Sequence, residues 1–224
     1  MSNLDSYRIE KDHIRENLNK YTIKAFELLP KLKNPHILDI GCGTGVPTIE
    51  LAKISDGHVI GIDIDMISLD LLHRKIKETG LNNRVSIIKD SILTMDFPEE
   101  SFDIIWSEGS IFVIGFENGI KNWRRFLKPN GFLVIHDEIK DKNKKLGLIT
   151  KYGYTLIAQF ELSDNLWWLE YFTPLELLIK KFRNKFPNDS ELISELNKDQ
   201  TEIDNCKSNP IFVNSFYVII QKYK

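Results

Sequence analysis

The chain has little cysteine and no surplus of positive charge, and each of these shortages argues against a class of function. Only Cys42 and Cys206 are present among 224 residues, too few for a disulfide-rich secreted scaffold, which favours a reducing compartment. The 30 Lys and Arg residues are offset by 32 acids, so no basic excess is available to neutralise nucleic-acid phosphates. No signal peptide or membrane-spanning apolar run is evident. We therefore expect a cytoplasmic protein with neither nucleic acid nor membrane as a partner.

The most informative segment is a short apolar strand that ends in three glycines. Apolar residues at positions 37, 38 and 40 are followed by Gly41, Gly43 and Gly45 on alternate positions, and residues 46–52 then have the pattern of a helix. A strand that passes through glycines into a helix lets a ligand approach bare backbone at the helix N-terminus. The segment therefore predicts a pocket for a nucleotide or nucleoside.

The glycine spacing disfavours two common nucleotide sites. The dinucleotide fingerprint places a third glycine where this chain has Val46. A phosphate-binding P-loop is excluded because no Gly-Lys-Ser or Gly-Lys-Thr follows. In addition, Asp39 lies inside the strand end, where a carboxylate would repel a pyrophosphate but suits a ligand with an ammonium group.

The run Asp39-Ile-Gly-Cys-Gly-Thr-Gly45 resembles motif I of the class I, Rossmann-like methyltransferases that depend on S-adenosylmethionine (SAM). A second apolar strand ends in Asp63, 22 residues beyond Gly41, as a strand-helix-strand unit requires. The stretches 96–103 and 123–131 are similar to further family motifs, so the resemblance covers roughly residues 35–140. The tail is similar to the ubiquinone/menaquinone-type branch, which is methyltransferase type 11-like.

The resemblance implies a three-layer α/β fold with a seven-stranded, mostly parallel sheet and an antiparallel last strand. Residues 1–34, helical over 5–33, are expected to form an N-terminal cap on a single SAM-binding domain over 35–224. Residues 141–145 are expected to form a charged, solvated loop. The expected strands lie at residues 37–40, 58–63, 84–90, 101–106, 131–136, 154–162 and 214–221.

The resemblance also assigns roles to residues at the strand ends. Asp39 and the glycine-loop backbone suit the methionine end of SAM, Asp63 the two ribose hydroxyls, and Asp90 the adenine amino group. For each acid, the alternative is a helix cap or a solvated strand-end residue. Cys42 is expected to pack within the loop rather than act as a nucleophile. The full predicted cofactor set is Asp39, Gly41, Cys42, Gly43, Thr44, Gly45, Asp63, Ile64, Asp90, Ser91, Ile92 and Glu108.

Two polar residues beyond the fourth and fifth strands are candidates for catalysis. Glu108 stands where the methyl group meets its acceptor, and it departs from the Asp-Pro-Pro-Tyr motif of enzymes that methylate DNA bases or glutamine. Glu108 is expected to offset the sulfonium charge or hold the acceptor; the alternative is a hydrogen bond to neighbouring backbone. His136 is the candidate base for a hydroxyl acceptor, with a structural role as the alternative.

The acceptor is expected to lie against aromatic side chains. Trp167, Trp168 and Tyr171 fall between the sixth strand and a helix that Pro174 opens, so they are predicted to form a loop that acts as a lid. The alternative is a satellite core, expected above all for the neighbouring Phe172. Tyr21 of the N-terminal cap is predicted to close over the same opening.

These patterns predict a SAM-dependent methyltransferase that uses no metal and releases S-adenosylhomocysteine (SAH) after in-line transfer to a small molecule. A catalytically idle SAM-binding or regulatory module is the first alternative. An NAD-dependent oxidoreductase is the second, and the absent third glycine weakens it. The identity of the acceptor, the choice of N, O or C as the methylated atom and the oligomeric state, a homodimer included, stay open.

Overall fold

A computed structural model describes residues 2–209 and 213–223. The centre of the structure is a seven-stranded sheet with the order β3-β2-β1-β4-β5-β7-β6. Strands β1 to β5 run parallel, whereas β7 lies antiparallel between β5 and β6. The predicted fold, including its antiparallel last strand, is confirmed. The strands are β1 His36–Ile40, β2 His58–Asp63, β3 Val85–Lys89, β4 Phe102–Glu108, β5 Leu127–Glu138, β6 Tyr154–Leu162 and β7 Ser215–Lys222.

Helices cover both faces of this sheet and add a separate cap. Two short 3-10 turns, Ile111–Val113 and Arg124–Phe126, flank the helix that follows β4. A π-helical turn, Trp168–Phe172, precedes the penultimate helix. The helices are α1 Asn3–Glu16, α2 Asn19–Glu27, α3 Val46–Ile54, α4 Met66–Glu78, α5 Phe116–Trp123, α6 Lys142–Lys151, α7 Asp164–Trp167, α8 Thr173–Lys185 and α9 Ser190–Ser208.

The core consists of three apolar clusters. Helices α2, α3 and α4 pack on what we call the first face of the sheet, and α5 and α6 pack on the second face. Because helices cover both faces, the central strands are buried along nearly their whole length and read as continuous apolar runs. The third cluster joins α1 to α8 and α9, with the Tyr7 ring edge-on to Phe182 at 5.3 Å. The cap thus combines helices from both ends of the chain, and a domain boundary at residue 34 stays a prediction.

Three local predictions were wrong. The expected single helix over 5–33 is divided at Asn17 and Leu18, because α1 packs in the cap and α2 packs on α3. Residues 167–172 are helical rather than a loop, since Trp167 and Phe172 are packed in apolar clusters and buried backbone needs internal hydrogen bonds. Residues 142–145 begin α6 instead of forming a solvated loop.

The glycine loop yields a test of stability. Gly45 and Gly80 both adopt left-handed backbone with φ near +78° and +70°, but a Cβ on Gly45 would lie 2.1 Å from Leu72 whereas a Cβ on Gly80 meets no atom within 4 Å. Gly80→Ala should therefore cost about 1–2 kcal/mol of unfolding free energy. Gly45→Ala should cost roughly a further 1–3 kcal/mol because the buried Leu72 has to move. Urea unfolding measures both; equal losses would contradict this packing.

Candidate active site

The predicted site residues gather at one edge of the sheet. Because parallel strands end at the same edge, Asp39, Asp63 and Asp90 follow one another along β1, β2 and the turn after β3. Glu108 at the end of β4 lies directly opposite His136 of β5. The structure therefore brings these five polar side chains to the carboxyl edge, where ligands bind in open α/β sheets.

Asp63 holds the glycine loop in place. One of its carboxylate oxygens accepts a hydrogen bond from the Gly43 amide at 2.8 Å, and the other accepts from the Asp65 amide at 2.9 Å. The amides of Gly41 and Cys42 both donate to the carbonyl that precedes Asp63, at 2.9 Å. Each carboxylate oxygen keeps a further lone pair, so Asp63 is oriented by the loop and can still accept from a ligand.

The glycines serve different purposes in the loop. All three have positive φ, which only glycine adopts readily. A Cβ on Gly41 would lie 2.5 Å from the Cβ of Ser110, whereas a Cβ on Gly43 would meet no atom within 4 Å. Gly41 is therefore required by packing. Gly43 leaves an open surface of bare backbone beside Asp63, which is the space that a ligand needs.

Asp39 and Cys42 lie buried below the loop. Asp39 is 2% exposed and accepts a hydrogen bond from the Thr48 hydroxyl at 2.6 Å. Burial raises the pKa of Asp39 to about 7. Burial also raises the pKa of the Cys42 thiol well above its usual value. The Cys42 sulfur packs against Gly61 so closely that a Cβ on this glycine would lie only 2.9 Å from it. These contacts favour the expected packing role for Cys42.

The predicted adenine end combines a fixed acid with an exposed apolar side chain. Asp90 accepts from the Ser91 amide at 2.7 Å, and its own amide donates to the Asp63 carbonyl at 3.1 Å. Ile64, next to Asp63, is 67% exposed, whereas Ile92 packs against the second face of the sheet. The edge thus offers a hydrogen-bond acceptor and an uncovered apolar side chain close together.

Sequence reasoning missed the part that α1 plays at this edge. Asp12 accepts a hydrogen bond from the Thr44 hydroxyl at 2.6 Å and forms an ion pair with Lys75 at 2.6 Å. Lys75 also donates to the Thr44 carbonyl at 2.9 Å. These bonds fasten α1 to the glycine loop and to α4. No sequence signal pointed to them, because charges along an amphipathic helix are typical of a solvated face.

Glu108 is held by side chains from both N-terminal helices. Its carboxylate is 2% exposed and lies 2.8 Å from Arg15, 2.8 Å from the Thr22 hydroxyl and 2.8 Å from the Trp106 indole nitrogen. Burial alone would raise the pKa of Glu108, but the Arg15 charge, His136 and these hydrogen bonds bring it below the usual value. A direct contact between this carboxylate and an acceptor would require these partners to separate. The alternative role considered for Glu108, a hydrogen bond to neighbouring backbone, is not observed among the described residues, where its partners are the side chains of Arg15, Thr22 and Trp106.

His136 is enclosed by aromatic rings. Its ring stacks on Tyr217 at 4.5 Å and on Trp167 at 5.7 Å, and its Nε2 lies 2.8 Å from the Ser215 hydroxyl. The side chain is 6% exposed, and burial lowers the pKa of His136 to about 4, against the opposing effect of Glu108. His136 is therefore neutral at physiological pH.

A cavity of about 250 Å³ opens beside His136. Two of the four predicted acceptor residues, Trp167 and Tyr171, line it. Among the described residues, neither Tyr21 nor Trp168 lines this cavity; Trp168 packs on Phe172 in the cap and Tyr21 against the first face of the sheet. Glu108 also lies outside its lining.

Within residues 2–209 and 213–223, no group of three or more His, Cys, Asp or Glu side chains could hold a metal ion. The helices of the same described ranges include none that combines the length and apolar character needed to cross a membrane.

Comparison with known proteins shows that the segment containing the glycine loop is similar to methyltransferase domains. Residues 37–131 match the family model described as "Methyltransferase domain". The sterol 24-C-methyltransferase of Aspergillus fumigatus is 30% identical over 102 residues, which cover 45% of this chain and 27% of that protein. The chain thus spans about a third or less of the length of the fungal sterol methyltransferases that it matches.

Solved structures share the fold over nearly the whole chain. A SAM-dependent methyltransferase from Geobacter sulfurreducens, in complex with SAH, superposes with a TM-score of 0.72 and 16% identity over 93% of this chain and 91% of that one. The [4+2]-cyclase SpnF superposes with a TM-score of 0.72 and 15% identity over 91% of this chain and 80% of that one. At these identities the likeness concerns the fold alone.

The buried Asp39 predicts a pH dependence of stability. The folded chain keeps the Asp39 proton up to about pH 7, whereas an unfolded chain releases it near pH 4. Protonation therefore stabilises the fold at low pH, and this contribution is lost as the pH rises towards 7. Relative to Asp39→Asn, wild-type stability should fall by up to about 1.4 kcal/mol per unit between about pH 5 and pH 7. Urea unfolding tests this; a difference independent of pH would contradict it.

Proposed function

We propose that the chain is a class I, Rossmann-like SAM-dependent methyltransferase that transfers the methyl group of SAM to a small-molecule acceptor, in keeping with the match of residues 37–131 to the methyltransferase-domain model. The observation that carries this proposal is the bond between Asp63 and the Gly43 amide, beside the open backbone of the glycine loop. This pairing leaves carboxylate lone pairs next to a surface without side chains, which suits a ribose diol.

The remaining residues of the edge fit the other parts of SAM. When bound, SAM supplies a methyl group on a positively charged sulfur. The glycine-loop backbone and Asp39 would bind its methionine end, Asp63 its ribose, and Asp90 with the exposed Ile64 its adenine. Asp63 and Asp90 bring two carboxylates to this edge, so its acceptor groups suit a cationic ligand rather than a pyrophosphate.

The cavity beside His136 is the proposed acceptor site. Its Trp167, Tyr171 and Phe172 side chains provide aromatic walls that suit a flat or apolar acceptor. Alignment of two reactants in such a site supplies on the order of 7–11 kcal/mol of the barrier, so positioning accounts for most of the proposed catalysis. A neutral His136 with a pKa of about 4 is a weak base, which favours acceptors that need little help in losing a proton.

A catalytically idle binding module is the second candidate. The observation that favours it is the closed state of α1, whose Arg15 seals Glu108 and whose Asp12 bonds to Thr44 of the loop. Turnover would require this helix to open and close in every cycle, whereas a binding module could stay closed once its ligand has entered. Methyl transfer itself separates the two candidates.

The proposal includes a location and partners. The near balance of 30 basic and 32 acidic residues supports a cytoplasmic enzyme that acts on small molecules, with neither nucleic acid nor membrane as its target. Either a monomer or a homodimer is compatible with a cavity built from one chain.

Incubation with methyl-labelled SAM and a metabolite extract tests the proposal directly. We expect SAH to form and at least one extract mass to gain a labelled methyl group, which also identifies the acceptor. A heat-denatured sample of the chain is the control. SAM binding without label transfer to any fraction would favour the idle module instead.

Asp63→Ala should weaken SAM binding while the chain stays folded, with a lower stability because the Gly43 and Asp65 amides lose their acceptor. The variant loses two charge-assisted hydrogen bonds to the ribose, each worth about 1.5–3 kcal/mol, so the Kd measured by calorimetry should rise at least tenfold. Asp65→Ala is the matched control, because Asp65 caps α4 by accepting from the Ile67 and Ser68 amides and should affect stability alone. An unchanged Kd in folded Asp63→Ala would mean that Asp63 serves the loop and not the ligand.

A further inference from the structure

The hydrogen-bond donors and acceptors around Ser215 determine which ring nitrogen of His136 carries the proton. The Trp167 indole nitrogen lies 2.9 Å from the Ser215 hydroxyl oxygen, and an indole nitrogen can only donate. The same oxygen lies 2.8 Å from Nε2 of His136. Among the described residues, Ser215 has no other side-chain hydrogen-bond partner, so its single proton must go to Nε2. Nε2 then holds a lone pair, and the neutral ring carries its proton on Nδ1.

The opposite arrangement leaves a proton without an acceptor. If Nε2 donated to Ser215, the hydroxyl oxygen would accept twice, and its own proton would have no partner within the described residues. Leaving a buried hydroxyl proton without an acceptor is unfavourable, which favours the Nδ1–H form by about 5- to 150-fold.

The Nδ1 edge is the open side of the ring. Tyr217 and Trp167 cover the two faces, and Ser215 occupies Nε2. Nδ1 has no hydrogen-bond partner among the described residues, and it is not one of the buried polar atoms that lack a partner, so it is accessible to solvent. Since His136 lines the cavity, its exposed edge faces the space proposed for the acceptor.

The other lining residues define the chemistry of a ligand for this donor. Trp167, Tyr171 and Phe172 supply flat aromatic walls. Glu138 and Glu202 also line the cavity, and a neutral His136 cannot offset the charge of a carboxylate. A neutral carbonyl oxygen on a flat apolar body therefore fits better than an anion.

We propose that His136 is a hydrogen-bond donor through Nδ1–H, and that the methyl acceptor carries a neutral carbonyl oxygen which receives this bond. Trp167 and Ser215 are positioning residues that hold the ring in this tautomer. The assignment of the ligand as the acceptor rests on the proposed methyl transfer; the tautomer does not. The proposal replaces the general base expected from the sequence with a group that orients the acceptor.

Nitrogen NMR of the histidine side chains tests the tautomer in the full chain. Two-bond couplings between ring protons and ¹⁵N nuclei distinguish Nδ1–H from Nε2–H, and loss of signals in His136→Gln assigns the residue. We expect the neutral Nδ1–H form in the wild type and in Ser215→Thr, which keeps the hydroxyl. Ser215→Ala and Trp167→Phe should shift the ring towards Nε2–H. A neutral Nε2–H ring or a charged ring in the wild type would overturn the proposal.

A matched pair of small aromatic probes tests the ligand chemistry. Acetophenone carries a carbonyl oxygen, and α-methylstyrene has the same shape with a methylene group in its place. We expect acetophenone to shift the Nδ1 signal of His136 and α-methylstyrene to leave it near its free position. No shift with acetophenone, or equal shifts with both probes, would overturn the carbonyl assignment. Neither measurement uses SAM, so failure of the proposed function would be recognised separately as a lack of SAM binding.

Discussion

A single buried carboxylate determines how the N-terminal helices meet the sheet. Glu108 ends β4 inside the protein, and an unpaired charge there would cost several kcal/mol. Arg15 of α1 neutralises it, while Thr22 of α2 and Trp106 of β4 donate further hydrogen bonds. Both helices therefore help to satisfy this one group, in addition to their packing in the cap and on α3, and together they enclose the edge.

Once docked on Glu108, α1 connects the ligand edge to the cap. On one side Asp12 bonds to Thr44 of the glycine loop and pairs with Lys75. On the other side Tyr7 and Lys11 both bond to Asp199 of α9, at 2.5 and 2.6 Å. The helix is thus held by charged or hydrogen-bonded contacts on both sides. Entry of a ligand beneath it would require some of these partly buried pairs to separate, which links binding to movement of the cap.

The sequence predicted the sheet well because its strands are buried on both faces and read as apolar runs between glycine-rich turns. The glycine loop could be predicted equally well, because the left-handed backbone at positions 41, 43 and 45 favours glycine. The ion pair between Arg15 and Glu108 could not be predicted, because it joins residues 93 positions apart and produces no periodic pattern in the sequence. The helical form of residues 167–172 was missed for a related reason, because it depends on the cap and not on local pattern.

Binding of SAM at the carboxyl edge, through the glycine loop and Asp63, underlies the function proposed for this chain. Calorimetric titration of the unmodified chain with SAH, and separately with NAD, is the decisive measurement. SAH lacks only the transferred methyl group and the positive charge that this group places on the sulfur, so we expect saturable binding of one SAH per chain. We expect no measurable heat from NAD, whose pyrophosphate would face the Asp63 carboxylate. Binding of NAD without binding of SAH would show that this edge is a dinucleotide site instead.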